Sequence, residues 1–514
     1  MRRAIGFSPT RLTWLAAAAI VAVGMALRLW AIPSTPLWLD EAYSAYAADK
    51  GLHFLWTLVP RYETHPPFYY TLVWLWSRIA GDGLVALRAL GLLAALAAFP
   101  VVAVAAHELA RIARVPVRPL VLAALGLLAV AVLPVEMARE VRPYPVMILV
   151  YAGGVAALLA LRRRVRAGAG FGGKAAAAYL AALLAMLWLH NLGPLYAAAL
   201  GIGCLLAVWR RGMARAEWAK IVGGHAAVLL AWVPALLILI DQAPGWVSST
   251  WLTFDPGTAG ARVAMLYAGP RSVAQGTAGL LAAIGLGRLA RIDRRAGSLL
   301  VVTAFLPVLL SLVLSMMVAP VFLMRTLTPV AIPAILLMAA GAIPRHGSKG
   351  RVAGLILLAI LCLSMLGRDV LNRRAGPPQD WYGTVRWLAA RWRPGDVVLA
   401  YPNEGALPFD RAVRDLGLAI PSRPIPTPIP SLAPPPGSWY VSGSRGVPSL
   451  DRPHLEAIAG APAMRAVPTV WLLRLGPWAY DKDDVLLRAL MARREAVGRF
   501  RAGPIDLIGL KRLD

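Results

Sequence analysis

The sequence predicts a polytopic α-helical membrane protein with a small α/β domain at its C-terminal end, and three observations carry that prediction. Of 514 residues, 59% are hydrophobic and 15% charged, where a soluble domain averages about 25% charged. The apolar residues come in long blocks, and the mean hydropathy is +0.63. The basic residues, 53 Lys and Arg against 26 Asp and Glu, cluster between those blocks. In a soluble protein a net charge of +27 would point to nucleic acid. Between membrane spans it is first a topology signal, because cytoplasmic loops retain Lys and Arg, so no nucleic-acid partner is expected. Disordered chains and fibres are excluded by the apolar blocks, and a disulfide scaffold by a cysteine count of only two.

Arg2, Arg3 and Arg11 precede an apolar run near 13–32. That run is longer than a signal-peptide core of about 7–15 residues and lacks a small-residue cleavage site, so it reads as a retained first span. Basic tracts then recur at Arg111 to Arg118, Arg162 to Lys174, Arg210 to Lys220, Arg288 to Arg295 and Arg345 to Arg351. With all of them cytoplasmic, an even number of crossings separates each from the next. Parity removes one candidate, His65 to Gly81, whose apolar part is also shorter than the roughly 20 residues a span needs. Its Tyr and Trp residues suit a juxtamembrane helix on the outer face. Eleven spans remain, near 13–32, 84–109, 119–137, 144–161, 175–190, 192–209, 221–240, 271–287, 298–318, 327–343 and 352–367. An odd number leaves the N-terminus cytoplasmic and the C-terminus outside.

After Gly367 the composition changes, which divides the chain into a membrane domain over 1–367, with its first external loop at 33–83, and an outer domain over 368–514. Asp380 caps an amphipathic helix, and Val397 to Tyr401 reads as a strand. Further strands are expected at Trp439 to Ser442, Val467 to Leu475 and Ile505 to Leu510, with helices near 404–416, 450–460 and 483–496. The proline-rich stretch Pro421 to Pro436 reads as an extended loop. Cys204 and Cys362 lie in separate apolar runs and read as buried thiols.

Acidic residues of the outer side gather in two loops. Leu39-Asp40-Glu41-Ala-Tyr-Ser follows the first span, where a helix start tolerates negative charge. Glu136-Met-Ala-Arg139-Glu140-Val-Arg142-Pro-Tyr144 fills the second external loop. Carboxylates at a membrane boundary are candidates for function, although loop carboxylates are often only solvated.

Leu39-Asp40-Glu41-Ala-Tyr-Ser, His65-Pro66-Pro67-Phe-Tyr69-Tyr70 and Glu140-Val-Arg142-Pro-Tyr144 resemble successive motifs of the family 39 glycosyltransferases. These belong to the GT-C superfamily, with protein O-mannosyltransferases and the lipid A aminoarabinose transferase as relatives. Trp188-Leu-His190-Asn191, the segment Pro320 to Pro329 around Arg325, and the Asp380-Trp-Tyr-Gly start of the outer domain extend the resemblance over most of the chain to about residue 400. Arg139 stands where relatives often have Gln, and Thr326 where they often have Tyr. The resemblance implies an inverting transfer of a sugar from a polyprenyl-phosphate donor to an acceptor lipid, glycan or protein. The reaction would take place on the periplasmic face of a bacterial inner membrane.

That reaction needs a general base for the acceptor hydroxyl and cations for the leaving phosphate. Asp40 is the expected base, with a helix cap as its competing role, and Glu41 orients a neighbour or shares the chemistry. Arg325 is the first choice for the donor phosphate, Arg142 and Arg139 the second, because a guanidinium offers a planar fork of donors. Glu140 is a second carboxylate, acting on the acceptor or, with Asp40 and His65, on a divalent cation. The resemblance leaves a divalent cation open, since some GT-C enzymes use a metal and others do not, and the sequence holds no closed ligand set. His65 is a metal ligand, a substrate contact or the cap of the juxtamembrane helix, and His190 a ligand or a packing residue. Tyr69, Tyr70 and Tyr144 belong to the motifs, and Tyr43, Tyr46, Trp74, Trp246 and Trp251 are further aromatics for a sugar, a prenyl chain or only an interfacial belt, with no single one assigned to binding. The long connection Asp241 to Arg271 reads as a loop that covers the donor. The competing class is a transporter or flippase, which would carry ionisable groups at mid-membrane and repeated halves; neither is visible in the sequence.

Overall fold

The expected spans fall on helical segments, with 119–137 interrupted at Ala131 (ψ 117). The structure, a computed structural model, describes residues 9–63, 65–249, 252–344, 347–432, 450–481 and 483–513. The expected strand Trp439 to Ser442, Arg345 and Trp251 lie outside the described residues. Helices run α1 (Pro9–Leu29), α2 (Leu39–Asp49), α3 (Gly51–Thr57), α4 (Pro67–Ala80), α5 (Leu84–Ala113), α6 (Val117–Val130), α7 (Val132–Met137) and α8 (Tyr144–Arg166). They continue α9 (Gly173–Leu189), α10 (Gly193–Val208), α11 (Arg215–Ser249), α12 (Pro256–Ala268), α13 (Ser272–Met317), α14 (Met324–Leu327), α15 (Ala331–Ala342) and α16 (Ser348–Arg374).

Among the described residues, 7 stretches are long and apolar enough to cross a membrane: α1, α5, α8, α11, α13, α14 with α15, and α16. The expected spans 119–137, 175–190 and 192–209 fall on α6, α9 and α10, which have 14, 17 and 16 residues. The expected spans 271–287 and 298–318 both fall on the 46-residue α13. That helix breaks at Asp293 (φ −152, ψ 87) into two arms. A Cβ placed on Gly297 would lie 3.2 Å from Leu286 Cδ1 and 3.3 Å from Leu289 Cβ. In a straight helix positions eleven apart are about 16 Å apart along the axis, so the two arms bend sharply toward each other at Asp293. Asp293 holds the bend: it accepts from Ala296 N at 3.2 Å, starting the second arm, and from Arg162 Nε at 2.9 Å.

The chain divides into two compact units, Met1–Trp30 with Ala89–Leu239 and Thr250–Arg374, and Ala31–Arg88 with Ile240–Ser249 and Ala375–Asp514. The first is the helix bundle. Lipid tails are as apolar as Leu, so its helices associate through close packing and polar ties. Gly285 and Gly341 show the close packing, since a Cβ there would come within 2.1 Å of Leu337 O and 1.9 Å of Leu281 O. Buried tyrosines give the ties: Tyr151 donates to Thr303 O at 2.6 Å and Tyr196 to Thr326 O at 2.5 Å. Cys204 is buried and Cys362 half-buried, both as free thiols.

The second unit joins α2, α3 and α4 to the C-terminal α/β segment. That segment runs α17 (Trp381–Ala389), β1 (Val397–Tyr401), α18 (Ala406–Asp415), β2 (Ser422–Pro424), α19 (Arg452–Gly460), α20 (Pro462–Arg465), β3 (Thr469–Leu475), α21 (Pro477–Tyr480), α22 (Val485–Met491), β4 (Arg494–Ala502) and β5 (Ile505–Arg512). The sheet order is β2-β1-β3-β5-β4, parallel among the first three strands and antiparallel for β3 with β5 and β5 with β4. Leu399, Leu472, Leu455, Leu486, Leu490 and Ile508 pack in one core beside it. Asp380 caps α17 as expected, accepting from Gly383 N at 2.8 Å.

Three expectations are corrected. The helix expected to 496 stops at Met491, because Arg494–Ala502 finds a ladder on β5 through the turn at Gly503 (φ +59). The proline-rich loop contains the strand Ser422–Pro424. The supposed loop Asp241 to Arg271 is largely helical: α11 continues through Pro244 to Ser249, and α12 starts at Pro256 with Asp255 accepting from Gly257 N at 2.9 Å. Pro at the first helical position gives up only an N–H that a helix start leaves unused.

Candidate active site

The structure sorts the expected residues into two groups, one in each unit. The group in the second unit is built on α2. Trp38 is extended (ψ 174) and the helix starts at Leu39, so Asp40 takes the second helical position and is not the cap. Trp38 N donates to Glu41 Oε2 at 3.2 Å, and Leu39 N donates to Gln379 Oε1 at 3.4 Å. Asp40 is 8% exposed and Glu41 1%.

Glu41 is held by Arg88, which is 2% exposed. Arg88 Nη2 and Nε donate to the two carboxylate oxygens at 2.8 and 3.3 Å. Its other three N–H groups donate to Thr35 O at 2.7 Å, Pro36 O at 3.1 Å and Ile32 O at 3.2 Å. All five guanidinium donors are thereby used, and one buried cation ties the extended segment before α2 to the first turn of the helix. Asp40 stands on that turn.

Aromatic side chains close around α2. Tyr43 donates to the Tyr62 hydroxyl at 2.8 Å and meets the Tyr70 ring edge-on at 5.6 Å, with Tyr69 6.2 Å from Tyr70. Burial first, then the charge of Glu63, pushes the Tyr43 hydroxyl well above its ordinary pKa, so it remains a donor. His65 Nδ1 lies 2.9 Å from Glu63 Oε1, and α4 starts on Pro67 with Pro66 as its cap. The helix-cap role expected for His65 is therefore taken by Pro66, and the imidazole faces a carboxylate.

The group in the first unit follows α7. Arg139 donates to Trp30 O at 3.1 Å. Arg142 is buried, with its guanidinium 5.9 Å from the Tyr144 ring centroid, and Tyr144 lies 6.3 Å from the His190 ring. His190 Nδ1 accepts from Leu192 N at 3.0 Å, which leaves Nε2 to carry the proton of the neutral ring. The α9–α10 turn is tight enough that a Cβ on Gly193 would meet Met186 O at 2.3 Å. Arg325 is half-buried on α14, where Tyr196 of α10 holds the next residue, Thr326. Glu140 shares the Arg139 to Arg142 loop. Arg139, Arg142 and Arg325 thus bring three guanidinium groups, and Tyr144 and His190 two rings, to this unit.

Among the described residues no three or more His, Cys, Asp or Glu side chains come together to hold a metal ion. Asp40 and His65 lie in one unit and Glu140 in the other. Three residues escaped the sequence reading: Arg88, Glu63 and Gln379. Glu63 had a signal, an acid two residues from His65; Arg88 and Gln379, 47 and 340 residues from their partners, had none.

No family model and no curated protein matches the sequence. Solved structures do match. ArnT from Cupriavidus metallidurans, in the apo state, superposes with a TM-score of 0.61 at 13% identity, covering 98% of each chain. The chain has the GT-C fold. ArnT from the same organism bound to undecaprenyl phosphate gives 0.57 at 14% identity, again over 98% of each chain. The oligosaccharyltransferase AglB from Archaeoglobus fulgidus, in complex with an inhibitory peptide and a dolichol-phosphate, gives 0.54 at 10% identity, covering 99% of this chain and 75% of that one. The GT-C fold and the apolar helices together make this a membrane-embedded protein.

Proposed function

We propose that the chain is an inverting glycosyltransferase that moves a sugar from a polyprenyl-phosphate donor to an acceptor lipid, glycan or protein at the periplasmic face of a bacterial inner membrane. The observation that carries this reading is the match over 98% of both chains to a structure holding undecaprenyl phosphate. The burial of Asp40 on a helix start fixed by Arg88 supports it. Asp40 takes the proton of the acceptor hydroxyl, whose oxygen bonds to the anomeric carbon opposite the phosphate. The bond from that carbon to the phosphate oxygen breaks, its electron pair leaves with the polyprenyl phosphate, and Arg325, Arg142 and Arg139 are assigned to the charge that develops there.

The test is transfer of a labelled sugar from undecaprenyl phosphate by purified protein. Asp40→Asn is expected to slow it by roughly 10²–10⁴ while the protein stays folded. An unchanged rate removes Asp40 as base. Movement of the lipid-linked sugar across a vesicle membrane with no transfer supports a flippase instead.

A further inference from the structure

We infer that the C-terminal α/β segment is the positioning element for the helix that carries Asp40. This rests on the glycosyltransferase reading for its consequence but not for its geometry. Three points of attachment, all inside the second unit, carry it. At the start of α2, Gln379 Oε1 accepts from Leu39 N at 3.4 Å and also from the indole of the fully buried Trp381 at 3.0 Å, which fixes the amide against the α17 end of the segment. Farther along α2, the Tyr46 hydroxyl donates to Ile429 O at 2.8 Å. At the turn between α4 and α5, Arg411 of α18 donates to Asp82 O at 2.8 Å, and Arg414 pairs with the Asp82 carboxylate.

The attachments differ in kind. A helix start leaves N–H groups without intrahelical acceptors, and these are usually served by a neighbouring side chain in sequence. Here an acceptor for Leu39, beside Asp40, comes from residue 379. The second attachment fixes rotation about the α2 axis, because Tyr46 lies six residues beyond Asp40 and is bonded to a backbone carbonyl rather than to a mobile side chain. α18 also contacts α2, and Tyr382 of α17 donates to Asp415 Oδ2 at 3.0 Å, holding α17 to α18, while within α18 Arg411 Nε donates to Asp415 Oδ1 at 2.9 Å. Catalytic groups lose rate when displaced by about 1 Å, so a base on this helix depends on a jig of this kind.

The experiment uses the full chain in nanodiscs. Hydrogen exchange of the α2 amides and of α9, as an internal reference, is compared for the wild type, Gln379→Leu with Tyr46→Phe, and Gln379→Glu, which keeps an acceptor oxygen. The double variant is expected to lose protection in α2 alone, and Gln379→Glu to retain it. Per folded molecule, kcat for transfer from undecaprenyl-phosphate sugar is expected to fall about tenfold in the double variant, equivalent to two lost hydrogen bonds. For Gln379→Leu alone, the dissociation constant for undecaprenyl phosphate itself is expected to stay the same. Unchanged α2 exchange, or equal loss in α2 and α9, overturns the inference. Altered α2 exchange in a protein whose wild type shows no transfer upholds the positioning role and sinks the glycosyltransferase reading alone.

Discussion

Arg88 with Glu41 in one unit and Arg162 with Asp293 in the other are both buried ion pairs at places where the chain changes course, and they are organised in opposite ways. In the first, the cation is the centre: Arg88 gathers three backbone carbonyls and one carboxylate, and both partners are almost wholly buried, at 2% and 1%. In the second, the anion is the centre: Asp293 takes Arg162 at 2.9 Å and Arg166 at 3.5 Å and caps the second arm of α13. Arg162 remains 13% exposed. A buried cation can organise an extended segment because its donors diverge, whereas a carboxylate at a helical bend serves N–H groups that already converge on it. The first arrangement fixes the start of the helix that carries Asp40; the second closes a turn.

The sharpest break of this comparison is Arg88→Met. It strands the Glu41 carboxylate and is expected to cost about 3–5 kcal/mol, read from the unfolding midpoint of the purified protein. Adding Glu41→Gln should recover a large part of it, since the unpaired charge, more than the lost pair, is the damage. Asp293→Ala comes next. Its arginines keep access to water, so a loss of about 1.5–3 kcal/mol is expected, with no change in the hydrogen exchange of α2.

The smallest effect is in the sheet, where Asp506 joins Arg474 and Arg499. Burial alone would raise its pKa, but the bonds from Arg499 and Arg474 together outweigh burial and hold the carboxyl below its ordinary value. Such a group binds fewer protons folded than unfolded, so its contribution is complete above the ordinary carboxyl pKa of about 3.9 and lost as the pH falls through the lowered value. Asp481, pushed up by burial against the pull of Arg474, works in the opposite sense. The measurable quantity is therefore the difference between wild type and Asp506→Asn in unfolding midpoint from pH 6 down to 3, which is expected to shrink with acid.

The long apolar runs were legible because a span announces itself by composition over about 20 residues. A turn between the spans 271–287 and 298–318 was legible in the arginine tract around 288–295; what was not legible is that a single break at Asp293, capped by its own side chain, makes it. β4 was hidden for a related reason. Its charged sequence Arg494-Glu-Ala-Val-Gly-Arg-Phe-Arg looks like a helix end until β5 supplies a ladder and Asp506 pairs with Arg499. α12, by contrast, carried a start signal in Asp255-Pro256-Gly257 that its glycines and proline obscured.

By itself the sequence determined that this chain is a membrane protein and where its apolar helices lie, and it singled out the motifs around Asp40, His65 and Arg142 as candidates. The tertiary structure decided which charges are spent. Glu41 is committed to Arg88, His65 faces Glu63, and the helix start beside Asp40 is served by Gln379. Apolar burial is non-directional and nearly additive along the chain, so it can be read locally. Hydrogen bonds and ion pairs depend on distances of about 3 Å between residues far apart in sequence, and only the fold sets those distances.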